Sequence, residues 1–137
     1  MASTDLEMTR EVRQFLGYSD RTLSEDGLNV CLTQAKRWIS NRKFRNESVN
    51  EIDWYAEGEP NESALFWHTC LYAKVASGEL DAPNGNIGDI KVSSLSSDDT
   101  LIYHQASQSL REIGIGRRHG ITRTTRDNRT YGDENEL

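Results

Sequence analysis

Apolar positions along this chain fall into four groups with helical spacing, separated by polar breaks. Leu6, Val12, Phe15 and Leu16 follow a Thr4-x-x-Glu7 pattern that reads as a capping box, and Gly17 supplies a stop. That predicts a short amphipathic helix over Thr4 to Leu16, with Tyr18 to Leu23 as a connector. Ser24 or Thr22 can cap a second helix, with Glu25 and Asp26 well placed in its first turn against the helix dipole. From there Leu28, Cys31, Leu32, Ala35, Trp38 and Ile39 recur at i, i+3, i+4, i+7, i+10 and i+11. This is one unbroken stripe on a helix running to about Arg45. Asn46 to Pro60 is polar and acidic with Trp54 and Tyr55 embedded, so it reads as a loop pinned by aromatics, Trp54 acting as a lid over the core.

The densest apolar stretch begins at Ser63. Ala64, Leu65, Trp67, His68, Leu71, Tyr72, Val75 and Ala76 cover more than half the circumference of a helix that starts near Pro60 or Glu62 and ends at Ser77-Gly78. A helix apolar on so many sides is expected at the centre of the fold, and His68 on that surface reads as a packed side chain rather than a ligand. A break rich in Gly, Pro and Asn follows from Gly78 to Asn86. Asp89 to Ser93 then alternates polar and apolar, which predicts a strand or one arm of a hairpin. A strand so short needs a partner strand or a neighbouring subunit. Ser96 to Asp99 forms a fresh N-cap cluster. Ile102, Ala106, Leu110 and Ile113 define a fourth helix from about Asp98 to Ile113, flanked by Leu101 and Tyr103 and ended by Gly114 and Gly116.

Beyond Gly114 the helical period is lost, and Ile115, Ile121, Tyr131 and Leu137 are the sizeable hydrophobes. Arg117, Arg118, Arg123, Arg126 and Arg129 against Asp127 leave residues 114–130 at +4, and Asp133, Glu134 and Glu136 give −3 over 131–137. That composition cannot build a core, so the segment is expected to be disordered alone or ordered on a partner. Ile121 to Thr125 carries enough β-branched residues to add as a strand to another sheet edge. The expected class is mainly α. A small four-helix domain at 1–113 has a projecting loop at 78–97 that carries a short β-strand or hairpin between helices three and four, and an extended polar C-terminal tail covers 114–137.

A length of 137 residues suits one domain with a modest core. The net charge of −6 argues against a general nucleic-acid binder, whose footprint is basic. Only four of the 16 basic residues are lysine (Lys36, Lys43, Lys74, Lys91), and an acid excess with so little lysine suits a salt-rich cytoplasm. Cys31 and Cys70 have no CxxC neighbour or histidine at metal spacing and are expected as buried free thiols. No apolar run approaches the roughly 18 to 20 residues of a membrane span. The N-terminus, MASTDLEMTREV, lacks a signal-peptide core, so the chain is expected to be intracellular when made.

Sequence signatures of catalysis are missing. G-x-S-x-G, H-E-x-x-H and Walker-type patterns do not occur, and His68, His104 and His119 are scattered without ligands at metal spacing. Asp98-Asp99 is explained by a solvated helix N-terminus. Neither catalysis, nor a metal, nor a cofactor is expected. The arginine tail has two readings: guanidinium groups suit phosphate backbone, and they equally suit an acidic protein surface. The acidic remainder of the chain favours the protein partner.

The order of elements is also familiar. TREVRQFLG (9–17) precedes the acid-started LSEDGLNVCLTQAKRWIS (23–40), the central ALFWHTCLYAKVASG (64–78), the glycine-led GNIGDIKVSS (85–94) and IYHQASQSLREIG (102–114) with its polar tail. This resembles the head–tail connector proteins of tailed viruses, also called adaptor or head-completion proteins, over residues 9–113. The resemblance implies small helical subunits forming a homo-oligomeric ring of about twelve copies beneath the portal protein. DNA would pass through the channel without sequence-specific binding, the site would be the head–tail junction of the virion, and no membrane would be involved. It also implies that Asn86, Ile87, Gly88, Asp89, Ile90, Lys91 and Val92 face a neighbour, the tail, or a stopper or tail-completion protein. The tail segment would grip the portal through Ile115, Arg117, Arg118, Ile121, Arg123, Arg126, Arg129 and Tyr131. The chain departs from the family in a longer Asn46–Pro60 loop and in its acidity, the latter fitting a virus of a salt-loving archaeon. The competing class is a small regulatory or DNA-associated helical protein that uses the arginine-rich tail on DNA.

Overall fold

The computed structural model describes residues 2–43, 49–57, 60–82, 86–91, 93 and 95–114. Four helices account for most of them: α1 (Asp5–Leu16), α2 (Glu25–Lys43), α3 (Asn61–Ala76) and α4 (Ser97–Glu112). The chain is mainly helical, and all four helices lie where the apolar spacing puts them. Thr4 caps α1 by accepting from Glu7 N–H, and the Glu7 carboxylate reaches back to Ser3 N–H at 2.8 Å rather than closing on Thr4 alone. Gly17, at φ 72°, ends α1 in the left-handed region that glycine enters without a Cβ clash. Of the two candidates for the α2 cap it is Ser24 that serves, its Oγ accepting from Gly27 N–H at 3.1 Å. Ser96 does the same for Asp99 N–H at the head of α4.

α3 is the central element and packs against each of the other three helices. Side-chain pairs set the directions. Ala2 N–H bonds Glu62 at 3.2 Å and Tyr18 Oη meets Ser77 Oγ at 3.1 Å, so α1 runs parallel to α3. Lys36 bonds Asp5 while Leu28 lies beside Thr9, so α2 runs antiparallel to α1. Lys74 pairs with Asp99, and His68 and Leu71 lie beside Tyr103, Ala106 and Ser107, so α4 returns antiparallel along α3. The core between them includes Met8, Val12, Leu28, Ile39, Leu65 and Leu110, all essentially inaccessible. Each such side chain contributes about 1.5–3 kcal/mol by leaving water. α1 and α4 sit on different flanks of α3 and do not form a packed pair of their own.

Trp54 is the lid expected of it, buried with its indole N–H donating to Val49 O at 3.2 Å. Cys31 and Cys70 are buried free thiols.

The glycine-led segment differs from the expected strand. Ile87–Asp89 is a 3₁₀ turn capped by Asn86, whose side chain accepts from Gly88 N–H at 2.9 Å, and no strand occurs among the described residues. The reason lies in the spacing of the isoleucines. Ile87 and Ile90 are three apart, and one turn of 3₁₀ helix puts i and i+3 on the same side. A strand would send them to opposite faces. With the core on one side only, the turn buries both, leaving Ile87 2% and Ile90 6% exposed. Ile87 and Ile90 are therefore buried against the chain's own body. Val92 and Ser94 lie outside the described residues.

Candidate functional site

Beneath the Asn86–Lys91 loop is a ladder of three side chains. The Arg42 guanidinium lies 3.5 Å from the centroid of the Trp38 ring, and that ring stacks on His68 at 4.9 Å with an interplanar angle of 27°. Arg42 Nη1 also donates to Trp38 O at 3.1 Å, which helps hold the guanidinium over the indole. His68 Nδ1 meets Ala64 O at 2.7 Å, so this histidine is buried, stacked and bonded, as its place in the apolar stripe predicts. Gly88 closes over the ladder. A Cβ there would stand 3.2 Å from Asn86 Oδ1 and 3.8 Å from Arg42 Nη2, so the capping Asn86 side chain would have to give slightly to admit it. Burial draws the Arg42 guanidinium below its ordinary value, partly offset by Tyr72. A cavity of about 10 Å³ remains among Trp38, His68, Ile87, Gly88, Tyr103 and Ser107, about the room one water needs.

Two polar clusters tie the loops to the helices. Lys74 bridges Asp99 at 2.9 Å and Glu79 at 3.0 Å, joining the end of α3 to the start of α4. Burial opposes the Lys74 charge, but its hydrogen bonds to Asp99 and Glu79 overcome that and raise its pKa. Asp5 accepts from Tyr55 Oη at 2.6 Å and from Lys36 at 2.9 Å, pinning the 49–57 loop to α1 and α2. Burial would raise the Asp5 pKa, yet the bonds from Tyr55 and Lys36 outweigh it and hold the carboxyl below its usual range. Burial and the Asp5 bond push the Tyr55 phenol up.

The surface carries a feature that the sequence reading did not single out. Phe15 of α1 is 50% exposed, and it meets Phe66 and Trp67 of α3 edge to face at centroid distances of 5.5 and 5.4 Å. Phe66 and Trp67 contact each other at 4.9 Å and are themselves only partly buried. The available signal was their adjacency. Neighbouring residues on a helix point about 100° apart, so Phe66 and Trp67 cannot both share a seam with Leu65 and Leu71. A polar groove of about 230 Å³ between α1 and the start of α2 is lined by Arg10 and Arg13 against Asp20 and Glu25, and Arg13 already pairs with Asp20 at 3.3 Å.

Of the positions the resemblance implied, Ile87 and Ile90 point into the core, so the loop presents Asn86, Gly88 and Lys91 instead. The Asp89 side chain, Val92, and the tail residues Ile115, Arg117, Arg118, Ile121, Arg123, Arg126, Arg129 and Tyr131 lie outside the described residues. Among the described residues no three His, Cys, Asp or Glu side chains are grouped to hold a metal ion, and no helix is long and apolar enough to cross a membrane.

In comparisons with known proteins the chain matches no family model, no curated protein and no solved structure.

Proposed function

We propose that this chain is a structural virion protein, a ring-forming adaptor that joins the portal to the tail, completes the head and leaves a channel for DNA. The observation that carries the reading is a division of labour along the chain. An acidic helical body that buries its own core is followed, directly from the end of α4, by a +4 arginine segment with no apolar period. Such a segment finds its order on a partner's surface, and the portal is the partner the resemblance supplies. The helix order supports the same reading. The inward-facing isoleucines of the loop narrow it, because a neighbour or tail protein meeting that loop would find Asn86, Gly88 and Lys91.

The test is genetic and visual. Particles assembled without this product are expected to be filled heads that lack tails, and normally tailed particles would refute the adaptor. The five arginines also favour a second reading, a DNA-associated helical protein. DNA affinity of the lone chain that is tight and falls steeply with salt would support that alternative.

A further inference from the structure

The aromatic cluster lies at the seam where α1 meets α3. α1 and α4 each pack on α3 and have no extensive contact with each other, and Phe15 of α1 meets Phe66 and Trp67 of α3. The same helices carry acidic residues near the cluster in sequence, together with Arg111 in the last turn of α4. Glu11 is one turn before Phe15, Glu62 is one turn before Phe66 and accepts from Ala2 N–H, and Glu112 is in the last turn of α4. Aromatic faces edged by carboxylates repel phosphate and anionic lipid and attract a guanidinium, which stacks on the ring while its N–H groups meet the acids. The chain already makes this pairing inside its own body, where Arg42 lies 3.5 Å over Trp38.

An occupant of that chemistry begins at the mouth of the seam. Because α4 returns antiparallel, with Asp99 at Lys74 and Tyr103 to Ser107 at Leu71 and His68, its C-terminal end runs back toward the level of the first turns of α3. Gly114 there has φ 93°, a left-handed residue that turns the chain out of the helix axis. The nine residues from Ile115 to Arg123 span up to about 30 Å when extended, and α3 is about 24 Å long. The sign of the charge agrees: residues 114–130 carry +4, whereas 131–137 carry −3, which leaves −7 of the chain's −6 total on residues 1–113.

We propose that the Phe15/Phe66/Trp67 seam is the seat of the chain's own arginine segment, Ile115–Arg126, in the free subunit. A tether this short holds the segment near its seat at an effective concentration in the millimolar range, so a contact too weak to hold a separate peptide still keeps the seat occupied. The inference goes beyond the adaptor reading and does not need it. On that reading, a portal takes up the segment by competing with this seat.

Hydrogen exchange on the full chain tests it, in moderate salt and without any partner. Amides of residues 117–126 should exchange about tenfold or more slowly than an unstructured peptide of the same sequence. Phe15→Gln, at a half-exposed position, should return them to the unstructured rate, and so should the fourfold variant R117S/R118S/R123S/R126S, which leaves the body untouched. The fourfold variant keeps the test valid if Phe15→Gln loosens α1. Unstructured exchange in the parent chain would overturn the proposal, and so would slow exchange that survives the fourfold variant. Slow exchange that vanishes on tenfold dilution would also overturn it, because the seat would then be filled by a second copy. None of these results involves the portal, so the adaptor reading stands or falls separately.

Discussion

Truncating Ile87 to alanine separates a loop that belongs to the core from one that merely projects. Ile87 is 2% exposed and lies against the small cavity beside Trp38 and His68, and Ile90 is 6% exposed on the same side of the turn. Removing a buried isoleucine's outer atoms costs about 2–5 kcal/mol in a closed core, from lost transfer energy and the cavity left behind. The site is at the rim, next to the exposed Gly88, so water or a shifted turn can relieve part of the cavity, and the lower end of the range, about 2–3 kcal/mol, applies. For a body near this size that is a fall of roughly 10 °C in melting temperature. An exposed side chain on a projecting loop would change stability by no more than about 0.5 kcal/mol. Urea unfolding followed by far-UV circular dichroism gives the answer directly. A midpoint within error of the parent, with an unchanged slope, would refute the docking of this loop on the body.

Lys74→Met should cost about 2–3 kcal/mol, because it strands the Asp99 carboxylate, only 12% exposed, at the junction of α3 and α4. The raised Lys74 pKa means that its contribution is complete below its ordinary 10.5 and is lost as pH climbs through the folded value. Stability should therefore fall above about pH 10.5 in the parent, and less steeply in Lys74→Met. At the acid end the sign reverses: Asp5 is held below its ordinary 3.8, so its contribution is present above that value and fades as pH falls through the folded one. Tyr55→Phe, which deletes one of the bonds holding Asp5 low, should cost about 1 kcal/mol and flatten that acid limb. Neither cysteine should react with a thiol reagent in the native state. Both are buried, and burial pushes the Cys31 thiol up to about 11 and Cys70 higher still. Rapid labelling of either before unfolding would contradict the packing described.

Much of the helical body could be read from the chain because its signals are local. The Leu28-to-Ile39 stripe, the Ser96 cap and Gly17 each state an element within a few residues, and an α3 apolar on several sides states its central position. The alternation from Asp89 to Ser93 predicts a strand, yet Ile87–Asp89 forms a 3₁₀ turn, because short alternation and an i, i+3 pair overlap there. Only the one-sided core, which lies far away in sequence, decides between them. The Arg42–Trp38–His68 ladder joins α2 to α3 across 26 or more residues and leaves no spacing pattern. The exposed cluster was hidden for a similar reason: Phe15 looks like part of the buried α1 stripe, yet it is half-exposed and meets Phe66 and Trp67 of α3 edge to face. A site made by surfaces meeting is written in no single stretch of the chain.

Binding of the full chain to rings of a portal protein encoded by the same genome, measured beside a chain ending at Gly114, tests the central claim most directly. The adaptor account predicts a complex of the full chain with the portal in many copies per ring by native mass spectrometry, and no complex from the shortened chain at unchanged helix content. Equal binding by both chains, or none by the full one, would contradict it.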